Sequence, residues 1–136
     1  RAGLVATISV YDAANNLKQT ASATLDAAGH YQFALDQNLA HLSLKIKVKL
    51  SHWLRKTVYT GTVGLAGLTT ATQTLINGDV DNGNEVDLTD YTQLLVAFNA
   101  TAADGNWNPS ADLNGDGIVD LTDYTVLVFA FNGVGD

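Results

Sequence analysis

Apolar residues in the first half of the chain recur at every second position. From Leu42 to Leu50, the residues Leu42, Leu44, Ile46, Val48 and Leu50 alternate with Ser43, Lys45, Lys47 and Lys49. A period of two is what a strand buried on one face requires. Leu4–Tyr11 alternates in the same way, with Ala6, Ile8 and Val10 opposite Val5, Thr7 and Ser9. Leu17–Leu25, Lys56–Val63 and Thr70–Ile76 read as further strands, and the turn Asp26-Ala-Ala-Gly29 predicts His30–Leu35 as a hairpin partner. Six or seven short strands divided by turns predict an antiparallel β-sandwich over residues 1–76.

The period changes at Asn77-Gly78, where residues 77–136 begin as a second domain. Tyr91, Leu94, Leu95 and Phe98 share one face of a helix predicted over Leu88–Phe98; Tyr124, Leu127, Val128 and Phe131 do the same over Leu121–Phe131. The two helices belong to an internal duplication with an offset of thirty-three residues. Val-Asp-Leu-Thr-Asp-Tyr-Thr stands identically at Val86–Thr92 and Val119–Thr125. The second helix adds Val126 and Phe129 where the first has Gln93 and Val96. Apolar bulk nearly all round a helix predicts burial on two sides, so Val126 and Phe129 are expected to meet another surface.

Charge separates the halves further. All seven basic residues precede residue 57, and with three acids they leave residues 1–76 at +4; residues 77–136 carry eleven acids and no Lys or Arg, a net of −11. A 60-residue segment at −11 repels itself, and bound cations are the simplest neutralisers. Nucleic acid and phosphate ligands are excluded for this half, which has no base to meet an anion. Cysteine is absent, and His30, His41 and His52 are scattered, so thiolate and histidine metal sites are not indicated. No apolar run is long enough for a membrane span. The start at Arg1 and the lack of methionine predict a processed or excised product.

Asp112, Asn114, Asp116, Gly117, Asp120 and Asp123 fall at positions 1, 3, 5, 6, 9 and 12 of an EF-hand-type calcium loop. Calcium takes 6–8 oxygens, which alternate loop residues can aim at one centre. Ile118, at position 7, would give its carbonyl, and Val119 would pack inward and pair with the other loop. In the first copy Asp79, Asp81, Asp87 and Asp90 hold positions 1, 3, 9 and 12, and Glu85 would give its carbonyl. Gly83 stands at position 5 and Asn84 at position 6, so the first loop lacks one carboxylate. Two Ca2+ ions are expected, the second loop binding more tightly.

Two tandem loop-helix units of this kind resemble dockerin type I modules, through Gly78–Asp81, Val86–Asp90, Asp112–Gly117 and Val119–Asp123. That resemblance implies an α-helical, tandem EF-hand-like module and a cohesin-like partner. Leu88, Thr89, Leu121 and Thr122, with the exposed helix faces, would read that partner. Residues 1–76 are more loosely similar to the β-sandwich modules, akin to carboxypeptidase regulatory domains, that precede dockerins. The chain is thus expected to be a secreted, non-catalytic interaction module, extracellular or at a bacterial cell surface. Residues 1–76 contain no paired acids at a catalytic spacing and no nucleophile motif. One alternative is a self-assembling subunit of a fibre or surface layer, the acidic half of one copy docking on the basic half of the next. Another is a carbohydrate-binding β module with Trp53 and Tyr59 as stacking platforms. Asn99-Ala-Thr101 is a glycosylation sequon.

Overall fold

The computed structural model describes residues 3–136; Arg1, from which a processed start was expected, lies outside the described residues. Strands β1 (Val5–Asp12), β2 (Leu17–Thr24), β3 (Ser43–Leu50), β4 (His52–Trp53), β5 (Lys56–Thr62) and β6 (Asn77–Asp79) precede helices α1 (Leu88–Val96) and α2 (Leu121–Ala130). Two compact units result. One takes the chain up to Leu50, Arg55–Thr74 and Asp136; the other takes Ser51–Leu54 and Leu75–Gly135. No helix among the described residues is long and apolar enough to cross a membrane.

The first unit is built on one antiparallel sheet in the order β2-β1-β3-β5. Its register sets Ala6 against Leu50, Ile8 against Val48 and Val10 against Ile46. These six side chains lie on one face and are all buried, Ile8 and Val10 completely. The opposite face pairs Tyr11 with Lys45, Ser9 with Lys47 and Thr7 with Lys49, and the Lys47 ammonium sits 5.6 Å from the centre of the Tyr11 ring. At the β1–β2 turn the Asp12 carboxylate accepts the Asn16 side-chain amide and the backbone N–H groups of Ala14 and Asn16. Those bonds, with Lys18 at 3.1 Å, hold the Asp12 carboxyl well below the usual carboxylate range.

Two expected strands did not form, and with them the expected β-sandwich is corrected. His30–Leu35 is irregular. The Gln19 amide takes its backbone instead, donating to the Ala34 carbonyl at 2.7 Å and accepting from the Asp36 N–H at 2.9 Å. Thr70–Ile76 is irregular and mostly exposed, having no apolar alternation to bury. A single four-stranded sheet therefore stands where two packed sheets were expected. The only other sheet among the described residues is the two-stranded pair β4–β6, and it belongs to the second unit.

The expected α-helical, tandem EF-hand-like module is corrected as well. Strands outnumber helices among the described residues, and the two helices are short, nine and ten residues. Strand β6 leads into the first loop, and a turn closed by Ala111 N–H to the Asn108 carbonyl leads into the second. Nor do the loops pair with each other. Val119 bonds to Asn99 and Ala100, and Val86 bonds to Asn132 and Gly133. Leu94 and Leu127 are fully buried in a core with Val86, Val119, Leu113 and Leu54. The buried stripe is narrower than the periodicity implied, since Leu95, Val128 and Phe131 are 42–48% exposed.

Candidate metal loops and exposed helix face

The two helix starts are built alike. Asp87 caps α1, its carboxylate accepting the Thr89 N–H at 2.6 Å, while the Asp90 side chain accepts the Asp87 N–H at 2.8 Å. Asp120 and Asp123 repeat this at α2, at 2.7 and 2.8 Å. These are reciprocal capping boxes, which satisfy amide groups that a helix start leaves without partners. Loop positions 9 and 12 thus have a structural task before any ion is considered.

Capping does not account for positions 1 and 3 of the first loop. Asp79, Asp81 and Asp90 each bring a carboxylate oxygen within 4.8 Å of the others. Asp79 and Asp90 are fully buried, and the unit that contains them has no Lys or Arg to offset their charge. Burial pushes the Asp90 carboxyl up, and the carboxylates of Asp81 and Asp79 push the same way against the N–H groups of Asp87 and Asp81. Buried like charges oppose the fold unless a cation or a proton joins them. A hard divalent cation fits this all-oxygen donor set. Glu85, expected to contribute only its carbonyl, has an exposed side chain, and Asp87 is half-buried.

In the second loop Asp123 is fully buried and accepts the N–H groups of Leu113 at 2.8 Å and Asn114 at 3.0 Å. Asp112 accepts from Gly115, Asp116 and Gly117. Asn114 and Asp116 bond to each other, amide to carboxylate, at 2.8 Å, and Asp116 also accepts the Ile118 N–H. Gly117 has φ 92° and Asn84, its counterpart, φ 71°, both left-handed as a sharp turn requires.

Gly83 has a second role that the sequence did not reveal. A Cβ there would stand 2.8 Å from the Asp81 carboxylate oxygen, whose partner is the Gly83 N–H at 2.7 Å. The Asp81 carboxylate would have to shift to admit a side chain at position 5, and Gly83 itself offers no carboxylate. Calcium titration calorimetry of Asp79→Ala and Asp112→Ala should therefore find the second loop the tighter, because ligand charge tunes affinity. A first loop that binds as tightly would refute this ordering.

The partner-reading residues lie in the open. Leu88 and Leu121 are each 66% exposed, Thr89 and Thr122 are exposed, and Phe129 is 88% exposed. Val126 is half-buried, and with Ile76, Ala130 and Gly133 it lines a shallow apolar groove beside Phe129. Trp53, the proposed stacking platform, is itself half-buried, its ring 4.1 Å from that of His52; the Tyr59 hydroxyl is spent on the Thr62 carbonyl.

No family model matches the chain, and no curated protein matches it. Several solved chains are similar in fold, two interface mutants among them. One is a C-terminal interface mutant of the type II cohesin–X-dockerin complex from Acetivibrio cellulolyticus, with a TM-score of 0.64 and 21% identity over 96% of this chain and 83% of that one. The other is an N-terminal interface mutant of the type II complex from the same organism, with a TM-score of 0.63 and 22% identity over the same shares. These findings overturn the resemblance to a dockerin type I module behind a carboxypeptidase regulatory-like sandwich. Both structures are type II assemblies, and among the described residues strand residues outnumber helical ones, with two short α-helices. At this identity the likeness establishes a shared fold, that of a chain within a type II cohesin–X-dockerin complex.

Proposed function

We propose that this chain is a non-catalytic protein-interaction module of an extracellular assembly, its acidic loops ordered by calcium. The observation that carries the reading is the apolar surface left open on the second unit, with Phe129 88% exposed and Leu88 and Leu121 each 66% exposed. Contiguous exposed apolar surface marks interaction sites; Phe129 borders one apolar groove with Ile76, Val126 and Ala130, and Leu88 borders another with Tyr91, Val128 and Phe131. The likeness to chains of cohesin–X-dockerin complexes supports assembly as the role, and a cohesin-like protein is the finer proposal for the partner. Calcium would act structurally, held by Asp79, Asp81, Asp87, Asp90 and the Glu85 carbonyl in one loop. Asp112, Asn114, Asp116, Asp120, Asp123 and the Ile118 carbonyl would hold it in the other.

Calorimetry of the chain with a type II cohesin module, in calcium and in chelator, tests the proposal. Phe129→Ser should weaken binding about tenfold or more, since aromatic anchors dominate interfaces, and leave calcium uptake unchanged. Unchanged binding would remove Phe129 from the interface, and no binding at all would remove the cohesin partner. Charge favours a second reading, self-assembly, because the −11 half complements the Lys45, Lys47 and Lys49 stripe. Light scattering at rising concentration separates the two, since only the second predicts growth of the chain alone.

A further inference from the structure

Each loop is closed by the chain that leaves the other loop's helix. Just beyond α2, Asn132 has φ 65° and donates its N–H to the Val86 carbonyl at 2.8 Å. Val86 in turn donates to the Gly133 carbonyl at 2.8 Å, and Gly135 to the Asn84 carbonyl at 2.9 Å. Thirty-three residues earlier, beyond α1, Asn99 has φ 62° and donates to the Val119 carbonyl at 2.7 Å, while Val119 donates to the Ala100 carbonyl at 3.0 Å. Bridges Glu85–Val134 and Thr101–Ile118 occupy equivalent places in the two copies. Val86 and Val119 are buried, so these bonds lie where water competes least.

We infer that Asn99 and Asn132 are positioning residues that couple the two loops, so that the loops take up calcium together. The inference rests on the calcium reading above. Helix α1 begins at the carboxylates that close the first loop, Asp87 and Asp90, and is followed by the residue that clasps the second. Helix α2 begins at Asp120 and Asp123 of the second loop and is followed by the residue that clasps the first. An ion in either loop orders that loop's helix and so lays down the clasp of the other. The second ion then meets a loop whose ordering has already been met, which is positive cooperativity. Asparagine suits both places because it takes the left-handed conformation at a helix end and keeps its N–H.

Native mass spectrometry of the whole chain across a calcium titration tests the coupling, with the amide resonances of Asp81 and Gly117 reporting each loop separately. The wild-type chain should pass from no ion to two, with the one-ion species always a minority. Asn132→Pro removes the N–H and forbids φ 65°; Phe131, with ψ 137°, already has the extended backbone that a following proline needs. This variant should accumulate the one-ion species and weaken the first loop about tenfold, the loss of one buried hydrogen bond. Asn99→Pro should weaken the second loop instead. Asn132→Gly and Asn99→Gly keep both the N–H and the left-handed backbone and should behave as wild type. Proline variants that weaken the loop of their own helix, or glycine variants that weaken a loop as much as proline does, would overturn the coupling. Should the proline variants fail to fold in saturating calcium, the wild-type titration decides, and one-ion species at the proportion of independent sites overturns it. If the wild-type chain takes up no calcium, the calcium reading itself fails and this inference falls with it.

Discussion

Removing calcium should abolish the helical circular dichroism of residues 77–136 and leave the strand signal of the β2-β1-β3-β5 sheet in place. The four-stranded sheet owes its stability to an apolar face, Ile8, Val10, Leu44, Ile46 and Val48, each at most 3% exposed, and holds no acidic cluster. The second unit places eight carboxylates in two short loops, three of them on fully buried residues, with no Lys or Arg among its residues. On the calcium reading proposed above, metal binding and folding form a single equilibrium. An ion at 100 to 1,000 times its dissociation constant stabilises the folded form by about 2.7–4.1 kcal/mol per site, a large part of what a small domain possesses. Circular dichroism and amide exchange in excess chelator provide the measurement. Helical signal and amide protection that persist at full strength would show that the capping boxes and the Leu94–Leu127 core hold this unit unaided.

Among single substitutions Asp123→Ala should do most damage. The Asp123 carboxylate accepts three backbone N–H groups, from Leu113, Asn114 and Asp120, in a fully buried position. Alanine leaves those donors without a partner, at about 1–3 kcal/mol for each that water does not reach, and also deletes the carboxylate proposed to close the second loop on calcium. Calorimetric uptake should fall to one ion at most, and the melting midpoint of the second unit should drop even in saturating calcium. Asp123→Asn keeps an acceptor oxygen and should retain most of the fold while losing affinity. If alanine and asparagine prove equally stable, the hydrogen bonds carry little and Asp123 matters only for its charge.

Much of this was legible without the structure because it depends on neighbours close in sequence. Alternation marked the buried faces of β1 and β3, since successive side chains of a strand point to opposite sides. The duplication, the loop spacings and the helix starts were equally plain, because Asp87 and Asp120 act on residues within three positions. What the spacing could not separate was capping from ligation, which both call for an Asp at positions 9 and 12. Asn99 and Asn132 went unnoticed for a related reason. The repeat does extend through Phe98-Asn99 and Phe131-Asn132, but it does not say which loop each asparagine would close.

The sequence by itself determined the faces of the strongest strands, the internal repeat and the charge contrast between the halves, all consequences of short-range periodicity and charge. Tertiary structure alone decided which short segments found partners. His30–Leu35 stays irregular, with its Ala34 carbonyl held by the Gln19 amide, and Thr70–Ile76 has no apolar face to draw it into a sheet. It also decided that the loops are clasped crosswise rather than paired, and that Phe129 faces water in the isolated chain. These outcomes depend on contacts between residues far apart in sequence, where competing partners differ by the free energy of one or two hydrogen bonds, a margin that local pattern does not register.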